Sequence, residues 1–248
     1  MTFTARRRHC ALIGLAISLL APAGAFAQEK ATLRPVRVVM ASSKLQVSAD
    51  KPLHFRLLSI SIPAGKSATF ASADGLLFVA RGKLELASGP EKSVIGEGEA
   101  RFFAAGSQVT LRVPGSKPAM LLHYLLAPAA TLGETAYAGA AKVAELYRGK
   151  DRAPLSAGPH EFSLTRVSSP AGAPPPPMHH RSGAALYRVL SGTATIHMQG
   201  GDEPRRAGAV QYEPNGFVHT WENTGKTPLV LLQANISAEG APEIIWLK

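Results

Sequence analysis

Cysteine is almost absent: the 248-residue chain has one, Cys10, and it falls in a leader-like N-terminus. A mature chain without cysteine excludes structural disulfides, thiol nucleophiles and cysteine-ligated metals. Aromatic residues are scarce at 6%, and acids are outnumbered, 17 Asp and Glu against 27 Lys and Arg. A basic balance can signal nucleic-acid binding, but here the charges are scattered and aromatics for base stacking are few. The expectation is a solvated basic surface and no nucleic-acid partner. Long apolar runs are missing as well. The one pronounced run, residues 10–20, is shorter than the roughly 20 residues a membrane helix needs, so no transmembrane segment is expected after the leader.

The leader itself has the order of a secretory signal peptide. Arg6, Arg7 and Arg8 precede the apolar run, and Ala25-Phe26-Ala27 closes it with a small-x-small pattern. Residues 1–27 are therefore read as a signal, cleaved before Gln28, and the expected location is periplasmic or secreted. Removing three arginines lowers Lys and Arg from 27 to 24 against 17 acids, a net charge of +7.

What is present is an internal repeat in a chain that is 46% hydrophobic. GLLFVARGKLEL aligns with ALYRVLSGTATI, pairing Gly82 with Gly192. Gly98, Gly106, Gly115 and Pro118 pair with Gly208, Gly216, Gly225 and Pro228 at the same offset of 110. Upstream, Phe55-x-Leu57 pairs with Phe162-x-Leu164, and Pro63-Ala64-Gly65 with Pro170-Ala171-Gly172, at an offset of 107. Turn residues in register mark two copies of one fold. The second copy holds three extra residues, assigned here to the PPPPMHH stretch. Both copies read as short aliphatic strands bounded by Gly, Pro and Ser, which predicts an all-β sandwich or barrel. Residues 131–149, rich in alanine and closed by Gly149, read as a helix. The expected layout is a signal (1–27), a β-domain (28–130), a helical linker (131–153) and a second β-domain (154–248).

In the second copy, Gly208-AVQYE-Pro214-Asn215-Gly216-FV-His219-TWE-Asn223 has the spacing G-x5-P-x-G-x2-H-x3-N. This resembles the second signature motif of the cupins at every position. Aligned on Gly192, Pro177-Met178-His179-His180-x4-Ala185 lies over the first motif, roughly P-H-x-H-x4-E-x6-G. The resemblance implies two tandem jelly-roll barrels joined by the short linker, each with a pocket at its mouth. It also implies, in metal-binding members, four ligands: two His and a Glu from the first motif and a His from the second.

Here His180 and His219 fall on His positions, Met178 replaces the first His, and Ala185 replaces the Glu. His179 falls between ligand positions. A one-residue shift would recruit His179 but place Arg181 on the second position. A divalent transition metal on His180 and His219, completed by His179, Met178 or water, is one reading. The other keeps the histidines as a general base or as hydrogen-bond partners of a ligand. Alternation puts Tyr187 on the face of Ala185 and Trp221 on the face of His219; the resemblance implies that these faces look into the barrel, so both residues read as pocket walls or plain core. Arg181 pairs with an anionic ligand or lies in solvent, the latter favoured. His54, His123, His160 and His197 are taken as structural. The first copy has Ala68, Phe70, Gly75 and Val109 where the second has Met178, His180, Ala185 and His219, so its barrel should be packed shut.

The expected function is small-molecule binding in the second barrel, with a metal-dependent cupin enzyme (oxygenase or isomerase-like) or a partner-binding scaffold as alternatives. A homodimer is the oligomer the family resemblance allows.

Overall fold

Glycine marks the corners where the backbone crowds itself. Gly82 and Gly192 sit at equivalent turns with φ of +88° and +85°. A Cβ at either would lie 2.9 or 2.8 Å from the carbonyl oxygen of Pro118 or Pro228. Only glycine meets both demands, which is why these glycines and prolines keep one offset through the repeat.

The computed structural model describes residues 33–247 apart from 135, 151, 152 and 154; the signal-peptide expectation over residues 1–27 lies outside them. Within the described residues there are twenty strands and no helix. The first ten are β1 (Val36–Val47), β2 (Leu53–Ile62), β3 (Ser67–Ala71), β4 (Asp74–Arg81), β5 (Lys83–Ser88), β6 (Glu91–Gly96), β7 (Ala100–Phe103), β8 (Gln108–Arg112), β9 (Ala119–Pro128) and β10 (Tyr137–Gly139). The next ten repeat them: β11 (Lys142–Arg148), β12 (Gly158–Ser169), β13 (His179–Arg181), β14 (Ala184–Ser191), β15 (Thr193–Met198), β16 (Gly201–Arg206), β17 (Val210–Glu213), β18 (His219–Asn223), β19 (Leu229–Ala238) and β20 (Ile244–Trp246).

Four five-stranded antiparallel sheets form two jelly-roll barrels. One barrel joins the sheets β11-β2-β9-β4-β7 and β10-β3-β8-β5-β6; the other joins β1-β12-β19-β14-β17 and β16-β15-β18-β13-β20. The two orders are the same with every index moved by ten, except that the copies exchange their opening strands. β1 pairs with β12 of the second copy, and β11 pairs with β2 of the first.

The expected helical linker is a correction. Residues 137–139 and 142–148 are strands β10 and β11, pairing with β3 and β2. An isolated helix of this length is marginal in water, whereas the open edges of β2 and β3 pair the backbone groups that a strand laid against them turns toward them. Tertiary pairing overrides the alanine-rich local preference. This segment closes one copy and opens the next.

Three apolar clusters hold the unit together. The first barrel is filled by seventeen buried apolar side chains, among them Ile60, Phe70, Leu77, Phe103, Val109 and Leu111. Between the barrels, the outer faces of β2, β4 and β9 meet those of β12, β14 and β19 through Phe55, Leu57, Tyr124, Phe162, Leu164 and Ile236. The interior of the second barrel holds eight, including Tyr187, Val189, Trp221 and Leu231. The space it does not fill with hydrocarbon is where the polar residues converge.

Candidate functional site

Strand alternation decides which histidine looks inward. On β13, His179 and Arg181 are buried and His180 between them is half-exposed. His179 pairs across the sheet with His219, their ring centroids 4.6 Å apart, and Trp246 of β20 lies edge-on to His179 at 5.0 Å. His180 turns away, its Nδ1 3.1 Å from the Arg181 carbonyl. His180 therefore does not share a site with His219; His179 does. Met178 is half-buried on the same outward side as His180, its carbonyl accepting the Leu247 N–H at 3.0 Å.

The reason is one residue in a turn. By strand pairing, His179 is the counterpart of Phe70 and His219 of Val109, while Ala185 is the counterpart of Gly75. Four residues separate Phe70 from Gly75 and five separate their counterparts His179 and Ala185, so the second copy carries one residue more here, at the Ser182-Gly183 turn. A slip of one inverts every side chain on the strand. Gly183 is required there: a Cβ would fall 1.9 Å from the Ile236 carbonyl oxygen.

Arg181 is not solvated, as the favoured sequence reading had it. It is 1% exposed. Its Nε donates to Glu213 Oε2 at 3.1 Å, and Nη2 reaches the Tyr187 hydroxyl and Gln233 Oε1. Glu213, wholly buried, also accepts the Trp221 indole N–H at 2.8 Å and lies 2.8 Å from His219 Nε2. That last approach lies off the line of a hydrogen bond, since Nε2 has no aligned partner. Burial raises the Glu213 pKa, but Arg181, His219 and Trp221 outweigh it and hold the carboxyl below its ordinary value. Glu213 is the functional-site residue that sequence reasoning missed. It sits directly across the sheet from Ala185, so a carboxylate is present close to where the family motif places one, delivered from the neighbouring strand over a methyl group. The signal was there in principle: an acid in an otherwise uncharged strand, opposite an alanine standing where an acid was expected.

Both inward imidazoles are oriented by the backbone. His179 Nδ1 donates to the Pro177 carbonyl at 3.0 Å and His219 Nδ1 to the Phe217 carbonyl at 2.8 Å. A carbonyl only accepts, so each Nδ1 carries its hydrogen and presents Nε2 to the barrel. The proline run contributes here: Pro177 fixes the ring of His179, and the Pro176 carbonyl accepts the Thr220 hydroxyl at 2.8 Å. Burial, with the nearby positive groups, pushes His179 down to about 4; at neutral pH it is a neutral acceptor.

A cavity of about 80 Å³ opens beside this cluster, lined by Arg37, Val167, Pro176, His179, Arg181, Tyr187, Trp221, Leu229, Leu231 and Trp246, with Pro35, Ser169 and Ile244 completing it. Tyr187 and Trp221 stack at 5.4 Å to form one wall. Asn223, the last motif residue, serves the turn instead, its amide donating to the Ser169 and Thr227 carbonyls at 2.9 Å each.

The residues present do not fit a metal ion. Among the described residues no three His, Cys, Asp or Glu side chains converge as a metal-holding group. The one carboxylate is engaged by Arg181, Trp221 and His219.

The first barrel has none of this apparatus. Phe70 meets Phe103 edge-on at 5.5 Å and Tyr137 at 5.0 Å. Its one interior histidine, His123, is the counterpart of Gln233 and bonds the Tyr137 hydroxyl at 2.9 Å.

A cupin-domain family model matches residues 165–235. No curated protein matches the chain. Bacillus subtilis oxalate decarboxylase at pH 4.6 shares the fold, at 13% identity and a TM-score of 0.54, over 83% of this chain and 74% of that one. A structure of the same enzyme, reported with its Mn(II) centres, matches at 13% identity over the same shares with a TM-score of 0.50. The cupin-domain match covers residues 165–235 of the second barrel, and over the chain as a whole the likeness to these structures is one of fold, two repeated jelly rolls.

Proposed function

We propose that the protein is an exported cupin whose second barrel binds a small molecule without a metal ion, and whose first barrel is a structural partner. The observation that carries this reading is the cavity walled by the Tyr187–Trp221 stack and ended by His179 and Arg181. It has the make-up of a ligand site, mostly apolar with a few convergent polar groups. Support for a metal instead comes from the Mn(II) centres named for the Bacillus subtilis enzyme. Against it stands the Arg181 guanidinium, a fixed cation paired with the only carboxylate of the cluster. Export rests on the residues of the leader.

Three measurements test the reading. Native mass spectrometry of protein purified from its own envelope fraction should find a small molecule that the Tyr187→Ala variant loses; an empty wild type would count against a binding role. Elemental analysis of the wild type, His179→Ala and His219→Ala should give the same trace metal in all three. One divalent ion per wild-type chain, lost in the variants, overturns the metal-free assignment. N-terminal sequencing should begin at Gln28, and a start at Met1 would remove the export reading.

A further inference from the structure

We propose that the ligand of this cavity is a short-chain carboxylate, anchored on Nη1 of Arg181 and drawn in by Arg37 at the rim; this rests on the small-molecule reading above. The charges on the lining are one-sided. Arg37 and Arg181 line the cavity beside the neutral His179, and no Asp or Glu does. The acids that pair with the two arginines stand behind them: Glu213 contacts Arg181 Nε, and Glu243 lies 3.0 Å from Arg37 Nη2. The cavity therefore meets guanidinium faces, not carboxylates.

One donor is left over. Arg181 is 1% exposed, and among the described residues its Nη1 has no hydrogen-bond partner. A buried unpaired donor is costly and rare, and a carboxylate oxygen makes the stronger, charge-assisted hydrogen bond with it. The remaining walls set the rest of the ligand. Val167, Leu229, Leu231 and Ile244 offer hydrocarbon, which suits an alkyl tail and not an inorganic oxyanion. A volume of about 80 Å³ is well under the roughly 150 Å³ that takes benzene, leaving room for about three to five non-hydrogen atoms.

The strand exchange makes this possible. Arg37 belongs to β1 of the first copy and reaches the second barrel because β1 pairs with β12. The corresponding positions of the first barrel carry Ser72 for Arg181 and Val143 for Arg37, so a carboxylate would find no cation there.

Both tryptophans of the chain, Trp221 and Trp246, line the cavity, so intrinsic emission reports on it directly. The experiment titrates the full-length mature protein with formate through hexanoate and with the matched primary amides and alcohols, following emission and heat. Acetate or propanoate should bind with a Kd of about a millimolar, at least tenfold tighter than the matching amide, with hexanoate weaker again. Arg37→Gln should weaken propanoate severalfold. Arg181→Met combined with Glu213→Gln, which removes both buried charges at once, should abolish the preference for carboxylate over amide while circular dichroism stays native. Amides or alcohols binding as tightly as the acids would overturn the carboxylate assignment and leave the pocket reading intact. Silence from the whole series, with another molecule found by native mass spectrometry, would also overturn the assignment alone. Silence with no molecule found would sink both.

Discussion

The two barrels share strand order, turn glycines and sheet pairing, yet they fill their interiors in opposite ways. Phe70, Ser72, Leu77, Phe103, Val109 and Leu111 of the first stand where His179, Arg181, Tyr187, Glu213, His219 and Trp221 stand in the second. The first closes with hydrocarbon and aromatic edges. The second holds an ion pair and two imidazoles, and keeps a cavity. Burying charge costs several kcal/mol per ion before any pairing is recovered. The first barrel demonstrates that the fold does not need that expense. A feature that the fold does without, and that costs stability where it occurs, is the kind retained for a site.

Substitutions that break this contrast should be felt in order. Glu213→Ala strips the counter-charge from a buried guanidinium and should cost about 3–5 kcal/mol, read from urea denaturation. Placing Gln at His123, as at Gln233 in the other barrel, should change the acid response. Burial pushes His123 down to about 3, while in the unfolded chain it titrates near 6.5. The unfolded state therefore takes the proton first, and stability falls as pH drops from about 6.5 toward 3. His123→Gln should spare about 2 kcal/mol of that loss at pH 5, measured by melts at pH 5 and pH 7.5; His179, whose window runs from about 6.5 to 4, remains in both proteins. Gly75→Ala should cost about 1–3 kcal/mol, because the new Cβ would fall 2.5 Å from His123 Nε2. Adding His123→Gln should return part of it. The smallest effect belongs to His180→Ala, below about 0.5 kcal/mol and without consequence for ligand binding, whereas His179→Ala should remove binding. A His180→Ala variant that lost its ligand would reverse the assignment of the inward histidine.

Much of the fold was readable before any coordinates. The glycines at the 110-residue offset report corners where a side chain has no room, and alternating aliphatic runs report strands half-facing a core. The inward faces of Tyr187 and Trp221 followed from period-two alternation once Ala185 and His219 were laid on the motif positions. The site was less readable. The proline-rich loop was credited with all three extra residues of the second copy, but the structure puts one of them in the Ser182-Gly183 turn. That single displacement exchanged His180 for His179 and brought in Arg181. Glu213 escaped because its role depends on what lies across the sheet from it.

Chain order alone determined the duplication, the all-β class, the corners and the motif that carries His219, since each is a local demand of backbone geometry or periodicity. Tertiary pairing decided which side of β13 faces the barrel, that residues 142–148 are a strand and not part of a helix, and that Arg37 serves a barrel built mostly from the other copy. Those choices depend on partners far along the chain, 40 residues from His179 to His219, 81 from Ser61 to Lys142 and 130 from Arg37 to Val167. Strand orientation in particular flips with each residue added or removed, so no reading of neighbours along the chain can settle it.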